Sequence, residues 1–510
     1  MRTNFRTAAK IIMTGALAAA AVGCTAKDPG QSAGESAKPA EKTTYNMFMN
    51  RAIPDFPPDG GKGKQEMLKG LEKAGITGAD WNLSLASGQE YYTKLNLLAS
   101  SGELPDYFNI DIPTMAKFAE EGLIMPLDDF IKKMPNASKT FRQTDLDAVT
   151  YNGKIYAIPT GFRPEPFNGP ADAGFNIRKD WLTKVGLQEP KTVPEFYEVL
   201  KAFTAKDPDG NGKNDTYGLG GTKTSNFEGI FAAYGVVPSF WQERDGKLKQ
   251  GSVLPETKEA LKVLNGWYKE GLIDPEFVLS EVKQKDEKFI NSKVGIIEAN
   301  AFNIQPSMPY TAGLKKSVPA AEVGFLMPPA GPEGKSGMPE PAPAAGVMFA
   351  VSAKAKNLDL LAKVLDWTAS DQPNGGFMTV AYGVEGEHYT YDKEKNRVTL
   401  KVNSFNDLAS SGFSNPVQFV KVVDKRWITD EALQAMELAN KYLVKNDFWK
   451  TVPAMLDYPD LKKLWEEYFV KIVTGEYTAD KWDDFVKAYY KQGGQQVEDQ
   501  VNAEWKKVKK

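Results

Sequence analysis

Cysteine is almost missing from this chain: Cys24 is the only one in 510 residues. An internal disulfide is excluded, and no Cys/His zinc spacing exists. Histidine is as scarce. His388 stands alone and, with no nucleophile motif beside it, reads as a local structural residue rather than a general base. GxSxG and HExxH are absent, and no recognisable pair of carboxylates on strand ends marks a glycan-cleaving site. Positive charge is not in excess. With 63 Lys+Arg against 66 Asp+Glu the net charge is −3, which argues against a nucleic-acid partner. No internal repeat of fixed period is found, and after Cys24 no apolar run is long enough to span a bilayer.

What is present is length and aromatic content. A single core does not serve 510 residues, so two or more globular units are expected. Aromatics make up 11%, including ten Trp and twenty Tyr that must be placed somewhere. Trp181, Trp267, Trp367 and Trp465 fall inside helical apolar patterns and read as core. Trp241 lies in a stretch without clear period and fits a core or a ligand face equally.

The first 23 residues read as a secretory signal: Arg2, Arg6 and Lys10, then the apolar run IIMTGALAAAAVG. Removing them takes the net charge from −3 to about −6. Ala21-Val22-Gly23-Cys24 resembles the bacterial lipobox, in which the cysteine is acylated, for example with palmitate, and becomes the mature N-terminus. Residues 24–44, rich in Ser, Ala, Gly, Pro and charge, then read as a lipid-anchored disordered linker.

Beyond the linker, strand and helix patterns alternate. YNMFM, DWNLSL and PDYFNI read as strands; KQEMLKGLEKAG, GQEYYTKLNLLASSG and IPTMAKFAEEGLI read as helices. That order predicts an α/β unit with a parallel sheet. A second α/β series starts after GKIYAIPTGFRP, and the C-terminal part is mostly helical. Residues 327–346 form a Pro/Gly-rich connection without core content.

One loop, DPDGNGKND, has the spacing of a calcium site. Asp207, Asp209, Asn211 and Asp215 supply side-chain oxygens, Lys213 a backbone carbonyl, and Gly212 the sharp turn. Gly218 stands where an EF-hand carries its bidentate Glu, so Glu195 or Glu198 is a candidate remote ligand. The alternative is a hydrated Asp-Gly turn. A catalytic role is not expected, since calcium activates water far less than zinc does.

LPDYFNIDIPTMAKFAEEGLIMPLDDFI, NGKIYAIP, IRKDWLTKVGL, DPDGNGKNDTYGL, KVGIIEAN and YGVEGEHY occur in this order across nearly the whole chain after the linker. Together they resemble the extracellular solute-binding proteins of ABC importers. Length and the aspartate loop are most similar to the large Gram-positive lipoproteins that bind oligosaccharides, including alginate and glycosaminoglycan fragments. The resemblance implies a two-lobed α/β fold of the type II periplasmic-binding-protein kind, with a cleft between the lobes closed by a hinge. It places residues 45–160 and 328–375 in the first lobe, and 161–327 and 376–510 in the second.

The same resemblance turns several residues toward the cleft: Asn109 and Asp111; Phe162, Arg163 and Phe167; Asn226, Phe227 and Trp241; Asn300, Phe302 and Asn303; and, more weakly, Tyr382 and Glu385. Rings beside planar polar groups suit sugars, which present C–H faces rimmed by hydroxyls. Arg163 either pairs with Glu165 or meets a carboxylate or sulfate on the ligand. The implied protein is a monomeric, lipid-anchored binder on the outer face of the membrane, not an enzyme. It carries structural Ca2+ and delivers an oligosaccharide to the transmembrane subunits of an ABC permease. A secreted glycan-cleaving enzyme and a peptide-binding or sensory lipoprotein are the alternatives.

Overall fold

The computed structural model describes residues 42–53, 55–159, 173–222, 227–341, 348–402, 405–413 and 424–508. The signal segment and nearly all of the linker read above lie outside these residues. No described helix is long and apolar enough to cross a membrane.

Alternation along the early strands builds a sheet buried on both faces. Its order is Ala79–Ala86, Thr43–Asn50, Tyr107–Ile110, Met348–Val351, Ile158–Pro159. The first three are parallel, and Met348–Val351 runs antiparallel to both neighbours. Tyr107, Phe349 and Val351 enter one core with Leu361 and Leu365 from the helix Leu358–Ala369. Phe108, Met348 and Ala350 enter the opposite core with Tyr91 and Leu95 from the helix Gly88–Ser101. A period of two thus feeds helices on both faces, and the central strands carry no exposed residue.

The second sheet has the order Val323–Leu326, Ala173–Arg178, Val294–Asn300, Tyr217–Gly220. Ala173–Arg178 is antiparallel to both of its neighbours, while Val294–Asn300 and Tyr217–Gly220 are parallel. Phe175, Ile177, Leu219 and Ile296 share a core with Phe196 and Phe203, and the C-terminal helices add Trp465, Phe469 and Phe485 to it. Trp181, Trp267, Trp367 and Trp465 are all buried, as their helical periodicity predicts.

The lobe boundaries differ from those expected. Residues 328–341 belong with the second sheet: Ala330 exchanges backbone hydrogen bonds with Lys191 and Val193, and Met338 joins the second-lobe core. Met338–Pro339 also pairs with Leu443–Val444. Conversely, the helix Phe377–Tyr382 belongs with the first lobe, placing Val380 in its core. Ser411 is on that side too, its carbonyl accepting from Gly63 N–H. A Pro/Gly-rich segment has too few apolar residues to show by period which core they fill.

The last passage between lobes is visible at Asp424–Ile428. Tyr382 Oη donates to Asp424, and Arg426 joins Asp424 to Asp371 on the first-lobe side. Gln305 receives Thr429 N–H, and Ile428 enters a core of the second lobe. Trp427 packs edge-on against Phe405 at 4.8 Å.

Candidate ligand-binding cleft

The strands Thr43–Asn50, Ala79–Ala86 and Tyr107–Ile110 all end at one edge of the first sheet. Ile110 and Pro159 both pair with Met348, so the chain leaves and re-enters this lobe at that same edge. In the second sheet Ala173 pairs with Asn300, the last residue of its strand. The carboxyl ends of both sheets therefore sit beside the crossings, where open α/β sheets bind ligands.

On the first-lobe rim, Asn109 is buried and accepts Asn50 N–H at 2.8 Å, while its carbonyl takes Tyr91 Oη at 2.7 Å. Asp111 caps the helix Ile112–Glu120 by accepting Thr114 N–H at 2.8 Å. Two further residues, not foreseen, complete this rim. Tyr92 is half-buried, and burial, then the neighbouring Asp111, holds its phenol above the usual range. Arg51 follows the strand end, and burial lowers its guanidinium below the usual range. The signal for Tyr92 was the doublet Tyr91-Tyr92: when Tyr91 fills the core, its neighbour turns toward the side of the helix.

On the second-lobe rim, Asn300 lends its carbonyl to Asn176 Nδ2 at 3.2 Å, and the Asn303 carbonyl takes Thr311 Oγ1 at 2.6 Å. Phe302 is half-buried against the core that holds Ile304 and Met436. Glu298, two residues before the strand end, accepts Gly229 N–H at 2.8 Å. Beside it stands Glu228, half-buried, its carboxyl pushed up to about 7 by burial and then by Glu298. An acidic residue near the end of the apolar strand KVGIIEAN was the available signal for Glu298.

Three expected ligand residues are placed otherwise. Phe227 is fully buried, its ring edge-on to Phe277 at 5.3 Å. Trp241 is 5% exposed, in a core with Phe448, Val501 and Trp505. Tyr382 is 1% exposed, with its hydroxyl spent on Asp424. None of the three offers a ring face to a ligand. Glu385 is exposed in the turn before Tyr389, with which it forms a backbone bridge. Phe162, Arg163, Phe167 and Asn226 lie outside the described residues. His388 is buried, accepts Val384 N–H at 3.1 Å and lies 4.7 Å from the Phe413 ring, a structural residue as expected.

The aspartate loop is closely organised. Asp207 accepts from Asn211 N–H and Gly212 N–H at 3.0 Å each. The Asn211 amide donates to Asp209 at 2.8 Å and to Asp215 at 2.9 Å. Burial, then hydrogen bonding with Asp207 and the charge of Asp215, raises the Asp209 carboxyl above the usual range. Lys293 Nζ holds Asp215 at 2.6 Å and lowers its carboxyl. All-oxygen chemistry and mutual repulsion fit a hard cation, yet among the described residues no three acidic, His or Cys groups converge as metal ligands do. Neither remote candidate is free to complete the set. Glu195 accepts Lys191 N–H at 2.7 Å, and Glu198 pairs with Lys201.

Residues 57–374 match the family model described as bacterial extracellular solute-binding protein. The chain belongs to this family. It is 26% identical over 514 residues to the polygalacturonan/rhamnogalacturonan-binding protein YtcQ of Bacillus subtilis, covering 98% of both chains. It is also 26% identical to the fructooligosaccharide ABC transporter substrate-binding protein FusA of Streptococcus pneumoniae, covering 96% of each. Among solved structures, alginate-binding protein AlgQ2 without calcium ion aligns at a TM-score of 0.73 and 21% identity, over 92% of this chain and 98% of that one. The two-lobed α/β fold expected for the family member is the fold observed.

Proposed function

We propose that this solute-binding protein is the substrate-binding lipoprotein of an ABC importer. It captures an oligosaccharide between its lobes and delivers it to the membrane permease. The carrying observation is that the carboxyl ends of both sheets lie beside the crossings, edged by Tyr92, Asn109 and Asp111 on one side and Glu298, Asn300 and Phe302 on the other. Rings beside planar oxygen and nitrogen groups are what a sugar requires. The substrate classes named for YtcQ and FusA support the reading. Cys24 carries the lipid, the linker spans to the folded unit, and the protein works as a monomer outside the membrane. Calcium sits in the aspartate loop as a structural ion. The AlgQ2 structure without calcium ion supports a place for calcium in this fold.

A second reading, glycan cleavage, draws on Glu228, whose raised carboxyl beside Glu298 has the character of a general acid. Glu298 is already engaged by Gly229 N–H, which favours the binding reading. One assay separates the two: glycan mixtures are added while melting temperature and reducing ends are followed. Capture raises the melting temperature without new ends. New reducing ends establish the second reading, and no response to any glycan rejects both.

A further inference from the structure

Eight of the ten tryptophans are buried; the two half-buried ones, Trp427 and Trp449, both belong to segments beside a passage between the lobes. Packing accounts for Trp427. It touches a core of each lobe and meets Phe405 edge-on at 4.8 Å. Trp449 has a different setting.

Trp449 rests on the small second-lobe cluster of Ala232, Val237 and Phe240, its ring 5.3 Å from Phe240 and inclined at 74°. Its indole N–H donates to Glu340 Oε1 at 3.0 Å, and the same oxygen accepts Asn446 N–H at 2.8 Å. Glu340 thus fixes both the ring and the segment that carries it, so little rotamer freedom remains to be lost on binding. Both neighbours of the ring lead to the second-lobe rim. Glu340 stands just before the chain re-enters the first lobe at Met348, on the edge where the parallel strands end. Phe240 follows Ser239, whose Oγ lies 3.4 Å from Glu228.

An indole whose one polar atom is bonded inside the protein has only carbon left for whatever meets its outer surface. Water gains little there, whereas a pyranose ring brings a flat C–H face of similar size. A furanose ring is smaller and puckered and has no such face. We propose, on the reading that the cleft binds an oligosaccharide, that one pyranose unit of the ligand stacks on Trp449, with Glu340 as the positioning residue that holds the ring.

The test starts with calorimetric titration of the protein with gluco-, galacto- and manno-oligosaccharides and with oligofructosides lacking glucose. The tightest pyranoside is then titrated into variants verified as folded by their melting curves. Trp449→Leu keeps an apolar contact for Phe240 but has no flat face, and Trp449→Phe restores one. Trp449→Leu is expected to weaken binding at least about tenfold, and Trp449→Phe to stay within about threefold of wild type. Glu340→Ala weakens binding several-fold, and Glu340→Gln, which keeps an acceptor oxygen for the indole, does not. In the wild type the C–H protons of one bound sugar unit move upfield in the NMR spectrum, a ring-current effect that packing alone does not produce. Wild-type affinity in Trp449→Leu or in Glu340→Ala, or no upfield shift in the wild type, overturns the proposal while leaving capture of oligosaccharides standing. So does binding of glucose-free oligofructosides alone. Binding of no glycan overturns it by removing the reading on which it rests.

Discussion

Lys293 Nζ lies 2.6 Å from Asp215 Oδ2, inside the loop whose spacing suits calcium. The ammonium holds a ligand oxygen that the cation would use, so calcium must displace it. Lys293→Met removes the competitor and releases Asp215 Oδ2, leaving Oδ1 with Asn211. Calcium affinity, read by titration calorimetry, is expected to rise several-fold. Unchanged or weaker affinity would show that Lys293 does not compete.

The crossing at Asp424–Ile428 depends on Arg426. Its guanidinium meets Asp424 at 2.7 Å and Asp371 at 3.0 Å, and Asp424 is buried. Arg426→Met leaves the Asp424 charge without its guanidinium, held among the described residues by Tyr382 Oη and the backbone N–H of residue 426. Such a loss costs about 3 kcal/mol, measurable as a lower urea midpoint. A loss within experimental error would mean that water already serves Asp424.

Phe227 was a cleft candidate by sequence and is a core residue by structure, held at φ 51° against Phe277. Phe227→Ala should cost about 3–5 kcal/mol of stability through cavity formation. If the variant instead kept its melting temperature and lost only glycan binding, the ring would belong to the ligand.

Glu228 gives a pH dependence with a definite sign. Its folded carboxyl titrates near 7 against a usual 4.5, so the folded state binds the extra proton between those values. Stability from this group is full below about pH 4.5 and falls as pH rises through about 7, by up to about 3 kcal/mol. Glu228→Gln should therefore flatten the decline between pH 5 and 7.5 in urea melts. Parallel wild-type and variant curves would reject the shift.

Period and spacing made much of the fold legible. The early strand–helix alternation and the four helical tryptophans follow from local pattern alone, because each element shows its buried face within one or two turns. The cleft was less legible. Phe227 and Trp241 sit in aperiodic stretches, where a core ring and a ligand ring look alike until distant partners such as Phe277 and Trp505 are known. The aspartate loop was visible by spacing, whereas Lys293, 78 residues away, was not. Glu195 and Glu198 were plausible on the preceding helix, but they lie in its first half, with about 10 Å of helix rise between them and the loop. Asn109 and Asp111 stand at the carboxyl end of their strand, and their described bonds brace the rim itself.

The central claim is capture between two lobes, and small-angle X-ray scattering tests it most directly. The glycan that most raises the melting temperature is added to saturation and the radius of gyration is compared with that of the free protein. The expected result is a smaller radius with ligand, as the lobes close on it. An unchanged radius at full occupancy would contradict capture by closure and place the ligand on a single lobe.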